Sequence, residues 1–550
     1  MRNRILVGAS LMVTVGVILF WQLAGRASGP HMERYLPAGT LAFVEVADLS
    51  DQALRLVETK AWRIFSETYP ELATGFLMSA NYSGLLRASG AAALIRLEVD
   101  GGHLLPLVAV LAESDDEQFA RSLHLFFSQR FEDGPSTVGQ YHGVPLIVYG
   151  HHEGDPLYFA RRDDLFVFSN RQEGLQGIID VVAGTAASLA DNPRVMEMRR
   201  RLGYADGFFG FVDGERLLEA IQALHRTHST RRDPEAIAPD QLLRAYGLDS
   251  IAAMGGVSSF EGEGVAERLF LATPDGGAGI VRVMMSAPPL TDEILSIIPA
   301  TANRVFVASL GDLLALYDEM YTATLQVMGS DGETKIDRLL AELGVDIRNE
   351  LLAAIGHQMA VIALPSMKRD HPRAALIVEV LDARQVKAAI ERMARAHHFT
   401  VIETSVADQP VLILNGERSG HSAHCAFVGE FLVVSGSRSA IETIIEAHRS
   451  GETMMVSAAY QRALADHDAP PVLTFYATNE HLLERMARVL NEGGLSEPRP
   501  AREMEALFPT SWTGTVESDG LRIEGMSPMG TFPHLLTELM AAVARIPESE

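Results

Sequence analysis

The sequence predicts an α+β protein: two tandem duplicated units, each a largely antiparallel or mixed sheet with helices packed on it, after one N-terminal transmembrane helix. Three observations predict it. An uncharged run near the amino terminus matches the thickness of a bilayer. Hydrophobic patterns recur, so that Ile178-Ile179 returns 266 residues later as Ile444-Ile445. Within each copy, strands joined by short turns outnumber strand–helix–strand crossovers.

The leading segment comes first. Arg2 and Arg4 precede the uncharged residues 5–25, which end at Arg26. As a helix this run is about 30 Å long, enough to cross the hydrocarbon core, and a helix satisfies its own backbone there. Ile5, Leu6, Val7, Leu11, Val15, Ile18, Leu19, Phe20 and Trp21 are its lipid-facing candidates. A cleavable signal peptide has a shorter apolar region, of about 7–15 residues; Gly25-Arg26-Ala27 nevertheless resembles a cleavage site, so whether the segment is removed stays open. The short basic tail predicts a cytoplasmic amino terminus, which places the rest in the periplasm or outside. The expectation is a single-pass, signal-anchored protein of the bacterial inner membrane with the lipid bilayer as a partner.

The 550 residues carry 46 Lys plus Arg against 71 Asp plus Glu, a net charge of −25. Such an acidic chain repels phosphate backbones, which argues against nucleic-acid binding. With 47% hydrophobic residues the composition is that of a folded protein. The single cysteine, Cys425, excludes an internal disulfide and an all-cysteine metal site.

The repeat divides the chain into residues 1–30 (cytoplasmic tip and anchor), a first α+β unit over 31–290 and a second over 291–550. Leu85-Leu86, Gly90 and the stretch 92–95 match Leu351-Leu352, Gly356 and 359–362. Residues 107–111 match 376–380, 165–169 match 431–435, 209–213 match 475–479, and Met285-Ser286-Ala287-Pro288 resembles Met526-Ser527-Pro528.

Within the first unit, residues 42–46 read as a strand, followed by helical sequence through the 62–76 region. Residues 90–99 and 105–111 read as adjacent strands about an Asp-Gly-Gly turn. A helix carrying Phe119, Leu123, Phe126 and Phe127 follows, then strands near 144–149, 157–160 and 165–168. A second helix holds Leu175, Ile178, Ile179 and Val182. A strand at 208–212, a helix at 217–224 and a hairpin of 253–260 with 265–272 complete the unit. Helices are expected against one face. Residues 226–240 and 491–502 are polar interruptions that read as exposed loops.

Leu36-Pro37-Ala38-Gly39-Thr40-Leu41-Ala42-Phe43-Val44-Glu45-Val46-Ala47-Asp48-Leu49 resembles the opening of the bacterial envelope proteins grouped as domain of unknown function 3352. The second unit has a degenerate version, Ile298-Pro299-Ala300-Thr301 before Val305-Phe306-Val307. Residues 427–437 also resemble a strand–turn segment of that family. The resemblance implies a secreted or membrane-anchored envelope protein and supplies no catalytic residues.

The sequence contains no metalloprotease, phosphate-loop, dinucleotide or EF-hand motif. Ser114 with Glu117, Asn170 with Glu173, Asp382 with Gln385 and Ser439 with Glu442 read as helix caps rather than metal clusters. His421, His424 and Cys425 are the nearest approach to a metal site, because imidazole and thiolate bind zinc or copper. Residues three apart on a strand, as His421 and His424 are, face opposite sides, which argues against chelation. His225 with His228 would share a helix face, but no third ligand accompanies them. No catalytic residue and no cofactor are assigned. The expected role is non-enzymatic binding or scaffolding in the envelope, with an envelope protein, peptide or lipid ligand held between the units. The alternatives are an extracytoplasmic hydrolase assembled without a motif, and a carrier of lipid or another apolar ligand.

Overall fold

The computed structural model describes residues 31–46, 49–68, 70, 89–100, 103–115, 117, 119–121, 123, 131, 134–150, 156–203, 207–228, 239–328, 332–365, 373–416, 422–464, 469–479, 507–528 and 530. The proposed anchor, residues 5–25, lies outside them, as do residues 81–88 with Leu85-Leu86, and His421. Among the described residues no helix is long and apolar enough to cross a membrane.

The first half contributes β1 (Ala42–Val46), β2 (Ser89–Asp100), β3 (His103–Glu113), β4 (Ser136–Tyr141), β5 (Val144–Tyr149), β6 (Leu157–Arg162), β7 (Leu165–Ser169), β8 (Phe208–Asp213), β9 (Ala253–Glu261) and β10 (Gly264–Ala272). The second half contributes β11 (Arg304–Ser309), β12 (Ile355–Leu364), β13 (Arg373–Val380), β14 (Phe399–Val406), β15 (Gln409–Gly416), β16 (Ser422–Val428), β17 (Phe431–Ser435), β18 (Leu473–Ala477), β19 (Thr510–Glu517) and β20 (Gly520–Ser527).

These strands form one sheet in which every pairing is antiparallel. The first half runs β4-β5-β6-β7-β3-β2-β1-β8-β9-β10. The second runs β14-β15-β16-β17-β13-β12-β11-β18-β19-β20, the same order strand for strand. The halves meet where β10 pairs with β20, from Val265 opposite Ser527 to Ala272 opposite Gly520. A shared edge of eight residue pairs makes the two sheets continuous.

The local chemistry explains the elements. Both outer hairpins turn through two residues of positive φ, His142-Gly143 and Ala407-Asp408, the twist that a two-residue hairpin needs. β4, at one rim, is exposed along nearly its whole length, so it lacks the alternation by which a strand is recognised, and it was not anticipated. In contrast, β7 is buried at every residue and reads as a continuous apolar run. Adjacent residues of β17 enter different cores. Val433 packs with the helix Arg438–Ser450 and Leu432 with the helix Ala383–Ala396, so helices cover both faces here, not one as expected.

The halves also share hydrogen bonds. Leu189 N donates to Leu36 O and Met454 N to Ile298 O, each at 2.8 Å. Leu41 N donates to Leu94 O at 2.9 Å and Asn303 N to Ala363 O at 3.0 Å. Asp213 N donates to Leu41 O at 2.8 Å and Thr478 N to Asn303 O at 2.9 Å. At the end of β7 the Ser169 hydroxyl donates to Val108 O and accepts from Arg171 N; at the end of β17 Ser435 donates to Ala374 O and accepts from Ser437 N. Both serines are buried. Ser169→Ala and Ser435→Ala are each expected to cost about 1–3 kcal/mol, with similar values in denaturant titration, because each removes two part-buried hydrogen bonds worth about 0.5–1.5 kcal/mol apiece.

These bonds correct several alignments made from sequence. Asp213 corresponds to Thr478, so Phe209 corresponds to Thr474 and not Phe475. Residues 107–111 correspond to 373–377, since Ala109 opposes Ser169 on β7 and Ala375 falls opposite Ser435 in the continued β13–β17 register. Met285 ends the helix Gly279–Met285, whereas Met526 lies in β20, whose counterpart is β10. Of the predicted caps, Asp382 accepts from Arg384 N and Gln385 N as expected. Asn170 instead continues the sheet, accepting from Val108 N and donating to Pro106 O. Ser439 lies inside its helix, which starts at Arg438 after Ser437.

Candidate functional site

The matched hydrogen bonds identify one place in each half that is built alike and filled differently. It lies between the core face of the central strands, the short 3-10 turn before them (Met32–Tyr35 or Asp292–Ser296) and the short helix before β8 or β18 (Pro193–Leu202 or Ala458–Ala463).

In the first half this place is occupied by charge. Glu45, on the core face of β1, is fully buried, and Glu33 nearly so. The Arg199 guanidinium donates to Glu45 Oε1 and to Glu33 Oε2, both at 2.6 Å. Met32 N donates to Glu45 Oε2 at 3.0 Å, and Arg199 stacks 4.2 Å above the Phe209 ring. Two buried carboxylates thus share one guanidinium. Loss of hydration is the main influence on Glu45; Arg199 opposes it and Glu33 adds to it, and its pKa rises to about 7.

The sign of the resulting pH dependence follows. The folded chain holds a proton on Glu45 that the unfolded chain, with an ordinary value near 4.5, has released. The contribution to stability is full below about pH 4.5 and is lost as pH rises through about 7. Thermal unfolding between pH 4.5 and 7.5 is expected to show this decline in the wild type, and a flatter profile in Glu45→Gln.

In the second half, Glu33, Glu45, Arg199, Phe209, Val257 and Met198 are answered by Leu295, Val307, Leu464, Thr474, Thr513 and Ala463. Charges are replaced by aliphatic groups and two large side chains by smaller ones. A pocket of about 530 Å³ opens at this place. Ile294, Val307, Met454 and Thr513 are buried in its floor. Tyr460 and Thr474 form its polar wall, their hydroxyls 3.3 Å apart. Burial raises the Tyr460 pKa, and the charge of Asp292 adds to the effect. Asp292, Gln461, Met455 and Pro470 stand exposed at the mouth. The volume is in the range that encloses a small molecule.

A smaller pocket of about 300 Å³ lies beside the junction, between Met198, Ala253, Phe270, Arg201 and Asp519. Arg201 crosses from the first half to Glu517 at 2.7 Å and Asp519 at 2.5 Å.

The residues singled out from sequence fall elsewhere. His424 and Cys425 are buried neighbours on β16. Burial lowers the His424 pKa and raises that of Cys425 to about 11, leaving a neutral imidazole and a protonated thiol. Cys425 packs against the helix Ala383–Ala396. Among the described residues no three His, Cys, Asp or Glu side chains gather to hold a metal. The side chains of His225 and His228 lie outside the described residues.

Sequence reasoning missed both sites. Glu33 and Glu45 lie more than 150 residues before Arg199, and no local pattern joins the three. Aligning Phe209 with Phe475 concealed the pocket, because a slip of one residue moves a side chain to the other face of a sheet. The available signal was the replacement of Phe209 by Thr474 in the correct register.

Comparison with known proteins finds no curated protein that matches the chain. Among solved structures, crystal form III of TP0453 is similar at 9% identity with a TM-score of 0.26, over 48% of this chain and 90% of that one. A family model described as a protein of unknown function (DUF3352) matches residues 101–413. That match spans more than half of the chain and both halves of the sheet, and the chain belongs to this family of proteins of unknown function.

Proposed function

We propose that this chain is a membrane-anchored binding protein of the cell envelope. Residues 5–25 hold it in the inner membrane as a single pass, and two tandem copies of one α+β unit, over residues 31–290 and 291–550, stand outside the cytoplasm. The uncharged length of residues 5–25 and the basic tail before it support the anchor and its direction. The identical strand order and matched hydrogen bonds of the two halves support descent from one duplicated unit.

A non-enzymatic binding role rests on one observation: the second half opens a pocket of about 530 Å³ where the first half is filled. Its floor is mainly apolar, and its polar wall is a pair of hydroxyls. Such a lining suits reversible retention of a small, mainly apolar guest. The same feature favours the carrier of an apolar ligand as the second reading.

The placement is tested by adding protease to intact spheroplasts of the producing bacterium. Degradation of the body without lysis is the expected result. Protection until lysis would overturn the placement.

A further inference from the structure

We infer that the pocket of the second half is a site for one uncharged or cationic, mainly apolar small molecule, that it discriminates against anions, and that the first half has no equivalent site. This deepens the binding reading above and rests on it for its biological meaning, though the pocket itself can be tested independently of where the protein resides.

The argument starts from the two fillings of one framework. In the first half, Arg199 lies between Glu33, Glu45 and the Phe209 ring. In the second, Leu464, Leu295, Val307 and Thr474 take those positions, and the helix that carries Arg199 in the first half ends earlier, at Ala463. The space that a guanidinium and an aromatic ring fill in the first half is left here to a guest.

The lining selects the guest. Ile294, Val307 and Met454 reward apolar contact, and Met454 and Met455 adapt to its shape. The Thr474 and Tyr460 hydroxyls can each give or take a hydrogen bond, so one neutral polar group can be accommodated. Among the described lining residues the one formally charged group is the carboxylate Asp292, at the mouth. A guest bearing carboxylate, sulfonate or phosphate must approach that charge with no cation among the described lining residues to offset it, whereas an amine is attracted.

Two fluorescent probes of one skeleton separate these terms: neutral N-phenyl-1-naphthylamine and anionic 8-anilino-1-naphthalenesulfonate. The full chain is reconstituted in lipid nanodiscs and binding is measured by equilibrium dialysis. The wild-type value minus that of Thr474→Phe removes uptake by lipid. Thr474→Phe installs the side chain that the first half carries at this place, and an unchanged melting temperature or a higher one shows that it folds.

The expected difference is one neutral probe per chain, with the sulfonate at least about tenfold weaker. Asp292→Asn is expected to narrow that gap several-fold. Equal uptake by wild type and Thr474→Phe would overturn the site. Protein-dependent uptake that persists in Thr474→Phe above that of empty nanodiscs would overturn its restriction to one half. Equal affinity for both probes, or a gap unchanged in Asp292→Asn, would overturn the anion discrimination. A positive result together with a body protected from protease in spheroplasts would leave the pocket standing and refute only the envelope placement.

Discussion

Arg199→Ala is expected to destabilise the first half by about 3–5 kcal/mol, the cost of leaving buried carboxylates without their cation. Glu45 is fully buried and Glu33 nearly so, and both direct an oxygen to the same guanidinium. The effect has a pH signature: the loss is largest above about pH 7 and shrinks in acid, where Glu45 takes up a proton. A variant combining Glu33→Leu, Glu45→Val and Arg199→Leu installs the residues that stand at the equivalent positions of the second half. It is expected to recover most of the loss, since replacing a whole buried ion group by apolar side chains is often neutral or stabilising. Urea titration of the three proteins at pH 5 and pH 8 checks both statements. A single variant as stable as wild type at pH 8 would show that the ion group contributes little.

The second large effect is expected at the junction. Phe270 of β10 is almost completely buried. Arg201 lies 4.3 Å and Arg522 5.8 Å above its ring, and Arg201 also binds Glu517 and Asp519 across the junction. Phe270→Ala is expected to cost about 3–5 kcal/mol from the emptied core volume, and it also loosens both arginines. Hydrogen exchange is expected to quicken in Gly520–Ser527, the second-half strand that pairs with β10. Phe211→Ala removes a buried ring of the same core away from the junction, and is expected to leave that segment's exchange much closer to wild type. Equal exchange of Gly520–Ser527 in both variants would mean that Phe270 does not couple the halves.

How much of this was legible in the sequence depends on the range of the forces involved. β1 and the hairpins β2–β3 and β9–β10 announce themselves through apolar runs and glycine turns, which act within a few residues. The apolar spacing of Leu175, Ile178 and Ile179 likewise fixes the helix Gln172–Val182 and its buried face. Asn170 was misread because capping is a local rule, and here the side chain bonds to a strand more than sixty residues earlier. The pairing of β10 with β20 joins segments some 250 residues apart, and nothing in either strand names its partner. The pocket was harder still. It arises from a difference between two similar places, and that difference appears only when the register is correct to the residue.

The most direct test of the central claim is native mass spectrometry of the full chain released from its own membranes, comparing wild type with Thr474→Phe. A single small-molecule adduct on the wild type that is absent from Thr474→Phe is the predicted result. Identical spectra for the two proteins, with or without an adduct, would contradict it.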